Sequence, residues 1–574
     1  MSSAPPVLGL DLGNSTCSVA VHRNGTVDVV PNEQGNRMTP SIVAFTDVET
    51  LLGEAAKAQL VRNPTNTVVD GLRLVGRKFA DEDFQRDLAA WRFRVSLGKD
   101  GVSPQIDVQA EGKAKAFTPA RLLSLLFARL RADAEAFTGE AVKEAVVAVP
   151  AHFDADKHAA LKEAAQMGGV RVKLLLSAPL CAALLSVHGP PMTAAAAVAA
   201  AAAVGEANAT DGDGAPDEAR PQQLLVVDVG GSSCEVSVVE WCGRRRSEGG
   251  AKEGEAGGPG GAGGDGGARV HVDDLTVRAT VQAAALGGAT VDRLLRDRVV
   301  KEIKRRQRCD LSESSRTMAR LLSACQGAKH SLTAAAQATV TVESEGVDYF
   351  STVTRPALED VSAPLAQKVC ELAQQALDAA GATPPERIDR VVLAGGGCRM
   401  SRVQAALGAL CPSAALEFAP VAEEVVCRGA ALCGAMQLRG APSAGGTAES
   451  TSELSERRAL PCALGIAAGP GGGEVRVLAE KYSAVPLTRT MRFAVAPAGG
   501  DLLVTLVDAD TAAPVARLPV RGVPEGTASL LVTLAVDERA TIELACEAEY
   551  AAADGQPAPP RSKLAAVTVP PAAA

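Results

Sequence analysis

Displaced by 217 positions, the chain matches itself: VLGLDLGNSTCSVAV, from Val7 to Val21, falls on LLVVDVGGSSCEVSV, from Leu224 to Val238. Asp11 meets Asp228, Gly13 meets Gly230, Ser15 meets Ser232 and Cys17 meets Cys234. Each copy is an apolar strand ending in Asp-x-Gly, followed by small polar residues and a second strand. That pattern reads as a tight hairpin whose glycines let backbone N–H groups approach an anion. One such turn alone is more often an ordinary bend. Two in duplicated strand contexts predict an α/β fold of two related lobes holding phosphate between them. A third turn fits the same plan, since Val391-Val392-Leu393-Ala394 is a buried strand that opens into Gly395, Gly396, Gly397, Cys398 and Arg399.

The candidate phosphate contacts are therefore Asp11, Gly13, Asn14, Ser15 and Thr16 in the first turn and Asp228, Gly230, Gly231, Ser232 and Ser233 in the second. Gly395, Gly396, Gly397 and Arg399 supply the third. A carboxylate beside a phosphate repels it unless a cation intervenes. Mg²⁺ suits that role because it keeps several waters and is held by one or two carboxylates. Asp11 and Asp228 are the candidates for holding it through water.

Composition narrows the remaining classes. At 574 residues the chain exceeds what one core supports and allows about three to four lobes. A net charge of −9 argues against a nucleic-acid footprint, and no direct nucleic-acid contact is expected. Thirteen cysteines without a C-x-x-C pair, and six histidines without H-E-x-x-H, indicate neither a zinc site nor a disulfide framework. The Ala-rich run at 194–203 falls far short of the roughly 20 residues that span a bilayer. A strand from Val7 leaves no room for a signal peptide, so a cytoplasmic protein without membrane contact is expected.

Three composition breaks divide the chain. Residues 189–223 carry an Ala tract followed by Gly, Asp and Pro, and residues 243–269 hold 12 glycines in 27 positions. Both read as surface-loop insertions, because strands resume on either side and loop closure costs little extra with length. Residues 440–458 are rich in Ala, Ser, Gly and Glu. The expected plan is a two-lobed domain over 1–440, a linker over 441–458 and a small all-β domain over 459–574. Strands are predicted at Val7–Leu12, 18–21, 27–30, 502–507, 530–534 and 540–544. Leu122, Leu126 and Leu130 repeat at helical spacing, as do apolar positions in 291–303 and 361–380.

These turns resemble those of the actin, sugar-kinase and heat-shock ATPase superfamily. NEQGNRMTPSIVAF at 32–45, NPTNTV at 63–68, RLVGRKF at 73–79, VVAVPAHF at 146–153 and AKHSL at 328–332 narrow the resemblance to the 70-kDa heat-shock chaperone family. VDYFSTVTR at 347–355 and RGAA at 428–431 agree with it. The resemblance is strong over 1–438 and weak over 459–572. It implies an actin-like duplicated ATPase domain that binds ATP and Mg²⁺, followed by a β-sandwich that binds peptides. By the same resemblance Gly287, Gly288, Lys329, His330, Thr333 and Glu423 join the nucleotide-binding candidates.

The departures bear on activity. Leu72 stands where the family has a lysine that orients the attacking water, a task needing a fixed positive charge. Ala178, before Pro179, replaces a glutamate that helps order Mg²⁺. Losing one preorganised group typically costs on the order of 10²–10³ in rate. No catalytic residue remains assigned, and a nucleotide-holding pseudo-ATPase is expected. The family's acidic leucine-rich linker is replaced by SELSERRALP at 452–461, and Leu174 replaces an arginine used against J-domain co-chaperones. The chain ends after the β domain, so no helical lid is expected. This combination resembles the atypical family members that pair with a zuotin-type J-protein in a ribosome-associated complex. The partners so implied are a J-domain co-chaperone and, through it, the ribosome and nascent polypeptide.

Overall fold

The computed structural model describes residues 6–23, 25–88, 91–189, 221–242, 275–344, 346–382, 385–419 and 421–439. In the last part of the chain it describes the strand segments 464–468, 474–479, 487–494, 500–508, 514–523, 527–536, 542–550 and 562–569. The linker expected at 441–458, the glycine-rich insertion and nearly all of the Ala-rich one lie outside these residues. The chain divides into two compact units, residues 1–275 with 280–453, and residues 454–574 with 276–279.

The repeat is carried into three dimensions. In the first lobe the sheet order is Arg171–Ser177, Glu144–Val149, Val7–Leu12, Thr16–Arg23, Thr26–Val29; in the second it is Ala415–Phe418, Arg390–Ala394, Gln222–Val229, Ser233–Trp241, Leu275–Ala284. Each sheet has a hairpin at its centre and two parallel strands on one side of it. Register is preserved too. Asp11 lies opposite Ser18 and Ala148, and Asp228 opposite Glu235 and Ala394. The central strands read as near-continuous apolar runs because helices cover both faces. Leu8, Leu10, Leu224, Leu225 and Val227 are all fully buried, each contributing roughly 1.5–3 kcal/mol by leaving water.

Helices begin where capping chemistry allows. The helix Pro119–Thr138 starts with the Thr118 hydroxyl accepting the Arg121 N–H at 3.2 Å and proline in its first turn, and stops at Gly139 with φ of 73°. The helix Arg355–Ala380 is capped the same way by Thr354 and Gly381. Leu122, Leu126 and Leu130 lie on the buried face of the first of these. The apolar run at 291–303 sits within the helix Gly288–Gln307. Predicted strands came out longer than their apolar cores, as with Thr16–Arg23 and Gly500–Asp508, because ladder pairing extends over polar ends that carry no hydrophobic signal.

The helix Val425–Arg439 packs closely on the first lobe. A Cβ on Gly9 would stand 2.1 Å from the Ala431 nitrogen, and one on Gly429 would stand 1.9 Å from the Cys181 carbonyl oxygen. Two glycines thus set how near this helix comes to the strand Val7–Leu12 and to the helix Ala178–His188.

The last unit contains two four-stranded antiparallel sheets. One runs Glu474–Ala479, Leu464–Ala468, Gly500–Asp508, Pro514–Val523; the other runs Leu487–Ala494, Thr527–Val536, Ile542–Tyr550, Ser562–Val569. Leu464, Ile466, Leu506 and Leu518 of the first share one apolar core with Val532, Leu534, Leu544 and Cys546 of the second.

Candidate functional site

The first turn closes through the Gly13 N–H donating to the Thr16 carbonyl at 3.1 Å, and the second through the Gly230 N–H donating to that of Ser233 at 2.9 Å. The segment 32–45 buttresses the first turn. Ser41 donates its hydroxyl to the Gly13 carbonyl at 2.7 Å and its N–H to the Ser15 carbonyl at 3.0 Å.

The turns face one another across the lobes. A Cβ on Gly231 would lie 2.1 Å from Ser15 Oγ, and one on Gly395, whose φ is +76°, would lie 2.4 Å from Asp228 Oδ1. Gly287 and Gly288 join from a third side, with Gly288 N–H donating to the Gly230 carbonyl at 3.0 Å and Ala289 N–H to that of Gly231 at 2.7 Å. Asn14 Oδ1 and Ser232 Oγ, one from each turn, are buried without a hydrogen-bond partner. Unsatisfied buried oxygens are costly, and these two sit one in each glycine turn, where the Ser232 hydroxyl can donate to a phosphate and the Asn14 carbonyl can accept from a water of a hydrated cation.

Asp11 and Asp228 are half-buried and have no cationic partner among the described residues. Burial pushes the Asp11 carboxyl up to about 7; burial, then the Asp11 and Glu235 charges, does the same for Asp228, also to about 7. A cation is what this pair lacks. Among the described residues no group of three His, Cys, Asp or Glu side chains is placed to hold a metal directly; the two half-buried carboxylates Asp11 and Asp228 are a donor set of the kind that would hold Mg²⁺ through its waters.

On the far side of the cleft, Lys329 is committed to protein partners. Its ammonium lies 2.9 Å from Asp292 and donates to the Gly288 carbonyl at 3.1 Å. Desolvation, then Lys329, holds His330 below its usual range, and the Thr333 hydroxyl donates to the His330 carbonyl at 2.7 Å. Arg399 is paired with Glu423 at 2.9 Å behind Gly396. Gly397 is buried against Val229, where a Cβ would stand 2.3 Å from Cγ1.

Leu72 is built into the apolar core of the first lobe, 7% exposed in the short helix Gly71–Leu74. Of the cations near it in sequence, Arg73 and Arg77 both reach Asp87, at 2.7 and 3.8 Å. Ala178 opens the helix Ala178–His188, directly after fully buried Ser177.

Two residues of this region escaped the sequence reading. Glu235 accepts the Ala151 N–H at 3.1 Å, with His152 Nδ1 at 3.9 Å, and so ties the second lobe to the loop after Glu144–Val149. The repeat register, which places Glu235 opposite Asp228, was the available signal. Lys57, from the first lobe, is near enough to act electrostatically on both His330 and Asp292.

A family model described as Hsp70 protein matches residues 7–244 and 269–507. The chain belongs to the Hsp70 family. The stretch between the matched spans falls in the glycine-rich insertion. This Hsp70 is 31% identical over 490 residues to a heat shock 70 kDa protein of Emericella nidulans, covering 85% of this chain and 66% of the relative. It is 32% identical over 488 residues to a ribosome-associated molecular chaperone of Saccharomyces cerevisiae, covering 85% and 69%. Heat shock cognate 70 kDa protein 3 of Dictyostelium discoideum is 30% identical over 490 residues, covering 85% and 68%. The chain thus spans just under two thirds of the first of these relatives. ATP binding is inherent to the family, and no helix among the described residues is long and apolar enough to cross a membrane.

Proposed function

We propose that this Hsp70 is an atypical chaperone or co-chaperone that holds Mg²⁺-ATP with little or no hydrolysis. The observation that carries the reading is a contrast: the glycine turns meet with Asn14 Oδ1 and Ser232 Oγ unpartnered, while Leu72 is built into the apolar core and the side chain at 178 ends at Cβ. In this reading Asp11 and Asp228 hold Mg²⁺ through water. Backbone amides of the three turns take the phosphates, and Lys329, His330 and Thr333 border the nucleoside. When bound, the metal supplies charge neutralisation between the carboxylates and the phosphates. The residues that would position a water for in-line attack are missing, so nucleotide acts as structure or signal.

The last unit is proposed to be a β-sandwich that takes an extended segment of a J-protein at a sheet edge. The similarity to ribosome-associated chaperones supports a cytoplasmic role in folding nascent chains with a zuotin-type J-protein. A tagged pull-down followed by a sucrose gradient tests this. Stoichiometric recovery of a J-protein that co-migrates with ribosomes is the expected result, and a free monomer in every fraction overturns it.

A further inference from the structure

The whole-chain charge conceals one strongly basic element. Residues 293–308 carry eight Lys or Arg and two acids, a net +6 in a protein of net −9. Most of them lie on the helix Gly288–Gln307. Arg293 donates to the Thr290 hydroxyl at 3.3 Å, and the other seven cations fall into two groups. Arg296 pairs with Asp297 at 2.7 Å, Lys304 with Asp310 at 2.5 Å and Arg306 with Glu302 at 3.2 Å. Arg298, Lys301 and Arg305 are exposed and meet no carboxylate among the described residues, as does Arg308 at the helix end.

Three- and four-residue spacing puts Arg298, Lys301 and Arg305 on one face, flanking the stripe that buries Leu295, Val299 and Ile303. Like charges at that spacing destabilise a helix. The helix macrodipole favours cations only in the last turn, which accounts for Lys304 and Arg305 but not for Arg298 and Lys301. The face carries a single large apolar side chain, Leu294, 38% exposed. Protein interfaces centre on apolar and aromatic anchors and deplete charge there, whereas nucleic-acid interfaces are far more positive and rest largely on phosphate contacts.

We propose that this face of the second lobe binds the phosphate backbone of RNA, without base specificity, through Arg298, Lys301, Arg305 and Arg308. The contact is separate from the nucleotide cleft and does not depend on whether ATP is cleaved.

The test uses the full chain and a fluorescein-labelled RNA hairpin with a stem of about 20 base pairs, followed by anisotropy between about 50 and 200 mM salt. The variant Arg298→Gln, Lys301→Gln, Arg305→Gln should lower the slope of log affinity against log salt by about 2 to 3. Its circular dichroism melt should be no lower than that of the parent, since the three side chains are exposed, unpaired and mutually repulsive. A control, Lys143→Gln with Lys162→Gln on the first lobe, should leave the slope unchanged. The proposal is overturned by a parent protein that shows no salt-dependent binding, or by an unchanged slope in the triple variant. An equal loss in the control overturns it as well. So does labelled poly-glutamate bound as tightly as the RNA, which would assign the face to an acidic protein instead.

Discussion

Asp11 and Asp228 set a pH dependence whose sign follows from their surroundings. Both carboxyls are raised to about 7 by burial, so each neutral form stabilises the fold below the unfolded value near 4, and that contribution is lost as pH rises through 7. Without Mg²⁺, Asp228→Asn should therefore melt higher than the parent at pH 8, the gain disappearing toward pH 5; a thermal scan across that range measures it. With Mg²⁺-ATP the order reverses, because the cation requires the charged pair, and affinity should fall as pH drops from 7.5 to 5.5 in a calorimetric titration. At Leu72, restoring the family lysine places an ammonium in an apolar site and should destabilise the protein by about 2–5 kcal/mol, read from a urea midpoint. The aspartates and glycines of the turns were legible in the sequence because the repeat presents them twice. Glu235 and Lys57 were not, since each matters through a group brought near by the fold: the Ala151 amide for one and His330 for the other.

At the level of elements, the closeness of the helix Val425–Arg439 to the first lobe rests on absent side chains. Gly429→Ala would push a methyl into the Cys181 carbonyl, and overpacking of that kind costs about 1–3 kcal/mol. A lowered urea midpoint with an unchanged denaturant slope is the expected result. Glu235→Gln weakens the acceptor for the Ala151 N–H, so hydrogen exchange at 151–153 should quicken while the strand Glu144–Val149 stays protected. Strands and helices could be read where an apolar period exists: Leu122, Leu126 and Leu130 announced their helix, and Val7–Leu12 its strand. The edges could not, because the ladders of Thr16–Arg23 and Gly500–Asp508 run on through residues chosen for the turn or for solvent. Nothing in the apolar pattern foretold the pairing of the strand Leu464–Ala468 with Gly500–Asp508, a long-range partnership that only the shared core selects.

Over the whole molecule, the offset of the repeat yielded the duplicated sheets, and the composition breaks pointed to loops and a linker, which lie largely outside the described residues. A net charge averaged over 574 residues said nothing about how charge is distributed, and the basic helix became visible only once its ion pairs could be subtracted. The central claim is the proposed one, that the cleft between the lobes binds Mg²⁺-ATP without cleaving it. The direct test follows one sample of the full chain with labelled ATP and Mg²⁺, measuring equilibrium binding and single-turnover cleavage together. The account predicts saturable binding, abolished by exchanging Asp11 and Asp228 for Asn, with cleavage indistinguishable from buffer alone. Cleavage at the rate of an active Hsp70, or no binding at all, would contradict it.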